Sequence, residues 1–157
     1  MRIEDVSHLG PSEHGLHIKT SPTRGAYIRD VAYDNITVGN VQHDYVISLT
    51  TSYGSSKGKH PKSALTEIAG VRYSNIRRGG ATIHDTGAGE WECFAERPCV
   101  NFSMVEVDIA PAQKWKCSNL DKASTHAVAV QPSQGLGECF REEEGRPPPP
   151  RAGEKGA

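Results

Sequence analysis

The hexamer at positions 15–20, GLHIKT, carries the side chains best suited to bind an anion. In a β-strand alternate side chains share a face, so Leu16 and Ile18 lie on one side. His17 and Lys19 share the other side, about 6.6 Å apart. With the aliphatic pair inward, the imidazole and the ammonium project together outward and suit an anionic group such as a sugar carboxylate. Taken alone, the pattern is better explained as a solvated strand face.

Four cysteines, all in the C-terminal half of the folded part, are the other residues with specific chemistry. Their spacing is not that of a zinc site, which needs a close pair two to four residues apart, and we expect neither a metal nor a cofactor. Four cysteines allow three pairings. The disulfides Cys93–Cys99 and Cys117–Cys139 are the simplest, and four buried free thiols are the alternative.

Charge and hydropathy exclude two classes of partner. The 18 Lys and Arg residues against 19 Asp and Glu give a net charge of -1, which argues against a nucleic-acid-binding surface. No apolar run has the length of a membrane helix. Arg24 and the basic loop at 57–62, KGKHPK, are further cations in turns, and such a loop is usually only solvated.

Short β-branched runs bounded by Gly, Asn, Asp or Ser recur along the chain, and helical periodicity is scarce. Residues 31–36, VAYDNI, match 71–76, VRYSNI, and we align a third copy at 100–105, VNFSMV. A worn fourth copy spans 1–6. Each copy has an apolar first residue and an aliphatic sixth, with an aromatic third residue in all but the worn copy.

Such repeats predict a solenoid, in which each unit supplies one coil. We expect a right-handed parallel β-helix of about four coils, with coincidental repetition in a β-sandwich as the alternative. Asn35 and Asn75 stand where a strand must bend, because Asn tolerates corners and can form hydrogen bonds along a stack.

The predicted domain covers residues 1–140. Residues 141–157, with four consecutive prolines and three consecutive glutamates, are predicted to be a disordered tail. The first residues are not a signal peptide, since no apolar core follows Arg2. Disulfides are typical of secreted proteins, and this expectation conflicts with the lack of a signal peptide at the start of the chain. One resolution is that Met1 is not the true start.

Residues 15–33, GLHIKTSPTRGAYIRDVAY, resemble glycoside hydrolase family 28, the polygalacturonases and related pectin hydrolases. The family signature is Arg-Ile-Lys, then a Gly-rich turn and a Val-x-[Tyr/Phe]-x-Asn-Ile coil. The likeness continues through 44–53, 71–76, 93–99 and 115–119 to the last cysteine, and plant-type probable polygalacturonases look most similar.

The resemblance implies roles for three residues. Lys19 matches the lysine that binds the galacturonate carboxylate, and Tyr53 matches a tyrosine lining the cleft, with a loop aromatic packing on the coil as its alternative. His17 takes the place of the family arginine, but an imidazole has no bidentate fork and is charged only in acid. The two sequential cysteine pairs are also the family's closing disulfides.

The resemblance also implies what is missing. Family members hydrolyse with inversion, using aspartates in Asn-Thr-Asp and Asp-Asp motifs and a histidine in Gly-His-Gly, all upstream of the lysine strand. This chain has none of these motifs. His14, in Glu-His-Gly just before the strand, is interpreted as a turn residue, so no catalytic residue is assigned.

We therefore expect the C-terminal part of a pectin-hydrolase β-helix that keeps one wall of the substrate cleft and, alone, hydrolyses nothing. The alternatives are a non-catalytic module that binds acidic polysaccharide, and a truncated product without a role of its own. The expected partner is pectin or another acidic polysaccharide, at the cell wall if the complete protein is secreted. We also expect association through the exposed first coil.

Overall fold

Short strands alternate between two sheets along the chain. The computed structural model describes residues 1–8, 14–23, 25–39, 41–42, 44–54, 60–79 and 86–142. Its strands are β1 (Arg2–His8), β2 (Leu16–Lys19), β3 (Tyr27–Val38), β4 (Tyr45–Thr50), β5 (Glu67–Arg78), β6 (Gly87–Glu92), β7 (Val100–Asp108), β8 (Trp115–Ser118), β9 (His126–Gln131) and β10 (Arg141–Glu142). Helical segments in these ranges are the 3-10 turns Lys62–Ala64 and Lys122–Ser124 and the short helix α1 (Leu136–Cys139).

The two sheets are the two sides of a parallel β-helix. One sheet has the order β1-β3-β5-β7-β9-β10 and the other β2-β4-β6-β8. All pairings between these strands are parallel. Because the chain crosses from one sheet to the other and returns one strand further along, each pair of strands completes a coil. The predicted fold, with about four coils, is therefore confirmed.

Apolar side chains at equivalent places in successive coils stack inside the solenoid. Ile36, Ile76 and Val107 lie in register across β3, β5 and β7, and each is buried. The rings of Tyr33 and Tyr73 stack with their centroids 5.3 Å apart. Full burial of one such aliphatic or aromatic side chain contributes about 1.5–3 kcal/mol. The core is thus a set of apolar columns parallel to the solenoid axis.

The register confirms three of the four predicted copies of the repeat and corrects the one at 100–105. Residues 31–36 pair with 71–76 and with the worn copy at the N-terminus, as predicted. In the third copy, Phe102 lies opposite Val71 and Met104 opposite Tyr73, so the unit begins at Phe102 and not at Val100. A methionine fills the place of the aromatic ring, because its unbranched chain adapts to such a space.

Two columns of left-handed residues mark where every coil bends. The first column consists of Asp5, Asn35, Asn75, Glu106 and Ala129, and the second of Asp30, Gly70 and Asn101. Their φ angles lie between 52° and 70°, a region that Asn and Gly enter at least cost. The Asn35 amide also donates to Asp5 Oδ1 at 2.6 Å. The corner roles predicted for Asn35 and Asn75 are confirmed.

The C-terminal end of the solenoid is closed by α1 and the residue after it. Phe140 is buried and its ring meets that of Trp91 edge-on, with centroids 5.0 Å apart. The backbone N–H of Trp115 in β8 donates to the Gln134 carbonyl at 2.9 Å. Arg141 begins β10, which pairs with β9 through Glu142, two residues beyond the predicted boundary at 140.

Three expectations fall on parts of the chain outside the described residues: Arg24, the lysines at 57 and 59, and the tail from 143 onward. At the other end of the solenoid, β1 and β2 are edge strands of their sheets, and association through this end stays a prediction. Within the described ranges, no helix has the length and apolar character that crossing a bilayer requires.

Candidate functional site

The short strand β2 places His17 and Lys19 on the outer surface of the four-stranded sheet. Leu16 and Ile18 lie opposite two fully buried residues of β4 and pack on the core. Because side chains alternate along a strand, His17 and Lys19 must then face outward. Lys19 is exposed and His17 is half-buried. The orientation expected from the sequence is confirmed.

Outward side chains of the four strands form two rows across the sheet. The first row is His17, Ser48, Glu90 and Lys116, and the second row is Lys19, Thr50, Glu92 and Ser118. Strand alternation directs the intervening side chains inward, among them the buried Trp91 and Trp115. The outer face therefore presents cations, carboxylates and the hydroxyls of Thr50 and Ser118, whereas Ser48 is buried within its row.

Lys19 and Tyr53, both singled out from the sequence, are in direct contact. The Lys19 ammonium lies over the Tyr53 ring, 3.2 Å from its centroid. The Tyr53 N–H donates to the Thr20 carbonyl at 3.1 Å, which ties the turn after β4 to the end of β2. The Tyr53 side chain remains 56% exposed. A cation–π contact of this kind holds the ammonium in place while the aromatic ring stays accessible.

His17 lies in a more enclosed setting beside a second histidine. The His14 ring is 4.1 Å from the His17 ring, and His14 Nε2 lies 3.4 Å from Asp44 Oδ2. Burial lowers the pKa of His17 below its ordinary value, His14 and Lys19 lower it further, and Asp44 opposes them. Its Nε2 atom is buried and has no hydrogen-bond partner among the described residues. The imidazole is therefore held neutral more strongly than an exposed one.

We expect an NMR titration to give His17 a pKa below 6.5, and the Lys19→Met variant to raise it by removing a nearby positive charge. Because this pKa is lower in the folded than in the unfolded chain, the unfolded chain takes up the proton first. The stability that neutral His17 contributes is thus lost as the pH falls below about 6.5. The Asp44→Asn variant should shift the pKa downward, and a pKa above 6.5 in the wild type contradicts this account.

Two carboxylates on β6 belong to the same surface and have no counterpart among the residues predicted from the sequence. Glu90 and Glu92 flank the buried Trp91, and Glu92 accepts a hydrogen bond from Ser52 Oγ at 2.6 Å. Alternation around a buried tryptophan is the sequence signal that identifies both as outward residues. They supply hydrogen-bond acceptors next to the cations of the neighbouring strands.

The cysteines lie at the margin of this surface. Cys93 follows β6 directly and pairs with Cys99, and Cys117 of β8 pairs with Cys139 of α1, the pairing preferred from the sequence. No three His, Cys, Asp or Glu side chains in the described part of the chain are grouped so that they could hold a metal ion. The disulfides brace the strands that carry the outward rows.

Donors, acceptors and an exposed aromatic ring on one open face form the kind of surface that binds a hydroxyl-rich ligand with negative charge. Lys19 supplies the cation, Tyr53 the apolar ring face, and the β6 carboxylates accept hydrogen bonds. The arrangement suits a polar ligand that carries negative charge.

Comparison with known proteins identifies the family of the chain. The model of glycosyl hydrolases family 28 matches residues 2–128. Two similar curated proteins are probable polygalacturonases, from Arabidopsis thaliana (28% identical over 123 residues, 73% of this chain and 26% of that protein) and from Vitis vinifera (26% over 146 residues, 86% and 28%). An exopolygalacturonase from Rhizopus delemar is 29% identical over 132 residues, 79% of this chain and 35% of that protein.

No solved structure matches the chain significantly. The chain spans about a quarter to a third of the length of the curated relatives that it matches. The family model, in contrast, covers most of the 157 residues, and it includes both outward rows of the sheet. By this match, the chain belongs to glycosyl hydrolases family 28.

Proposed function

We propose that the chain forms the C-terminal coils of a polygalacturonase-like pectin hydrolase and that the outer face of its four-stranded sheet binds the acidic polysaccharide. One observation carries the proposal: an ammonium and an exposed ring, Lys19 and Tyr53, are held together at the end of an outward-facing row. A carboxylate of galacturonate pairs with the ammonium, and its sugar ring packs against the tyrosine. The names of the relatives support pectin as the substrate class.

His17 contributes to binding on this surface more weakly than an arginine would, and its contribution depends on pH. The imidazole cannot form the two parallel hydrogen bonds that an arginine offers to a carboxylate. Because burial, His14 and Lys19 together lower the pKa of His17, the ring gains its charge at a lower pH than an ordinary histidine. We infer that Lys19 supplies most of the attraction at neutral pH and that His17 adds to it only in acid.

We infer that the 157 residues hold the substrate but do not break it. The sequence contains none of the Asn-Thr-Asp, Asp-Asp or Gly-His-Gly motifs that the resemblance requires for inverting hydrolysis. The two disulfides support an oxidising, extracellular setting, in which such bonds persist. The chain then contributes one wall of a cleft, at the cell wall or outside the cell.

Binding to polygalacturonate tests the proposal. We expect the purified chain to bind the polymer in calorimetry at low ionic strength, and Lys19→Ala to weaken binding about tenfold through loss of a charge-assisted hydrogen bond. Arg72→Ala is the matched control, since Arg72 is an exposed cation on the opposite sheet. We also expect no reducing sugar to be released. Unchanged binding of Lys19→Ala, or measurable hydrolysis, would contradict the proposal.

A further inference from the structure

A second cation, Lys116, lies on the same outer face of the four-stranded sheet, at the edge opposite Lys19. The Lys116 ammonium of β8 donates to the hydroxyl of Tyr45, at the start of β4, at 3.1 Å. The tyrosine reaches it by crossing β6 at Gly87, where a Cβ atom would lie 2.3 Å from the ring. Three strands therefore cooperate to position one exposed ammonium, and no other residue type fits at position 87 without moving the ring.

This ammonium borders a cavity of about 460 Å³ at the C-terminal edge of the sheet. The polar side chains that line the cavity are Glu90, Lys114, Lys116, Ser118, Gln134 and Glu138. A cavity of this size lies within the range that holds a small ligand. Its polar lining suits a ligand that is itself covered with hydrogen-bonding groups.

The charges of the cavity identify the chemical class of this ligand. Two residues with ammonium groups, Lys114 and Lys116, and two with carboxylates, Glu90 and Glu138, line the cavity. The Lys116 ammonium is charged near neutrality, as an ordinary lysine is, and the hydrogen bond to Tyr45 raises its pKa further. The ammonium groups suit a carboxylate, and the glutamates accept hydrogen bonds from hydroxyls. A uronic acid unit carries both kinds of group.

We propose that this cavity is a second sugar-binding position, in which Lys116 pairs with the carboxylate of a uronic acid unit in the same chain that contacts Lys19. The inference rests on the proposed function, because it needs an acidic polymer on this face. Lys19 on β2 and Lys116 on β8 lie on opposite edge strands of the sheet, so three strand spacings, or about 14 Å, separate them across the sheet. Only a ligand of several units can contact both positions.

The binding of short and long galacturonate oligomers distinguishes this inference from the proposed function. We would measure the affinity of the full chain for digalacturonate and hexagalacturonate by calorimetry, with the wild type and the Lys116→Met, Lys19→Met and Arg72→Ala variants. We expect Lys116→Met to lower the affinity for hexagalacturonate about tenfold and to change that for digalacturonate less than about twofold. Lys19→Met should lower both affinities, and Arg72→Ala neither.

Tyr45→Phe tests the positioning role of the phenol. It keeps the ring over Gly87 and removes the hydroxyl that holds the ammonium, so we expect part of the Lys116→Met loss for the long oligomer only. If Lys116→Met leaves hexagalacturonate binding unchanged, or weakens both oligomers equally, the second position is refuted while Lys19 binding stands. If neither oligomer binds the wild type, the proposed function fails and the inference fails with it.

Discussion

Replacing Trp91 with alanine is expected to lower the free energy of unfolding by about 4 kcal/mol, because it empties the centre of a packed aromatic cluster. The Trp91 ring is fully buried and stacks on the Trp115 ring with centroids 5.3 Å apart. The rings of Phe140 and Tyr73 meet it edge-on from two other directions. Urea denaturation followed by far-ultraviolet circular dichroism measures the loss.

Trp91→Phe is the control for this variant, since it keeps an aromatic ring in the cluster. We expect it to cost about 1–2 kcal/mol, less than Trp91→Ala, because the smaller phenyl ring leaves a smaller cavity. A loss below about 1 kcal/mol for Trp91→Ala would show that neighbouring rings collapse into the space. That result would contradict the rigid stack on which the outward residues of β6 depend.

Removing the Cys117–Cys139 disulfide is expected to have the next largest effect on stability. The bond closes a loop of 22 residues between β8 and α1. Loop-closure entropy predicts that Cys117→Ala with Cys139→Ala lowers the free energy of unfolding by about 3 kcal/mol. Urea midpoints of the oxidised wild type and the double variant measure this difference.

The second disulfide provides the matched comparison. Cys93–Cys99 closes a loop of only 6 residues, so its double alanine variant should lose about 2 kcal/mol, less than the other pair. Reducing agent should lower the midpoint of the wild type and leave a variant without cysteines unchanged. An unaltered midpoint in the Cys117→Ala, Cys139→Ala variant would show that α1 is held by its apolar contacts alone.

The sequence was sufficient to predict the solenoid wherever apolar positions and asparagine corners coincided. Residues 31–36 and 71–76 share both features, and their register follows directly. The third coil was misaligned by two residues because Glu106 occupies its corner, and a glutamate gives no signal of a left-handed bend. Strand β6 was not predicted either: Gly87 and Gly89 weaken β-propensity, and the need for both comes from rings on other strands.

The candidate site was also predictable only in part. Alternation alone predicts that His17 and Lys19 face outward, and the structure agrees. The resemblance assigns Lys19 and Tyr53 separate roles in the cleft, but it does not predict their contact, which joins separate coils. Neither the crossing of Tyr45 to Lys116 nor the pairing of His14 with Asp44 has a local signature. Such contacts depend on strand register, which a single sequence does not specify.

The column of left-handed residues from Asp5 to Ala129 separates what the coils hold constant from what they vary. Its members stay in register, yet the chain between successive members differs in length, longest from Asn35 to Asn75 and shortest from Glu106 to Ala129. Insertions and deletions are thus confined to the rim, where backbone need not pair. Changes in the length of these loops can therefore alter the borders of the outer face of the four-stranded sheet without disturbing the stacked interior.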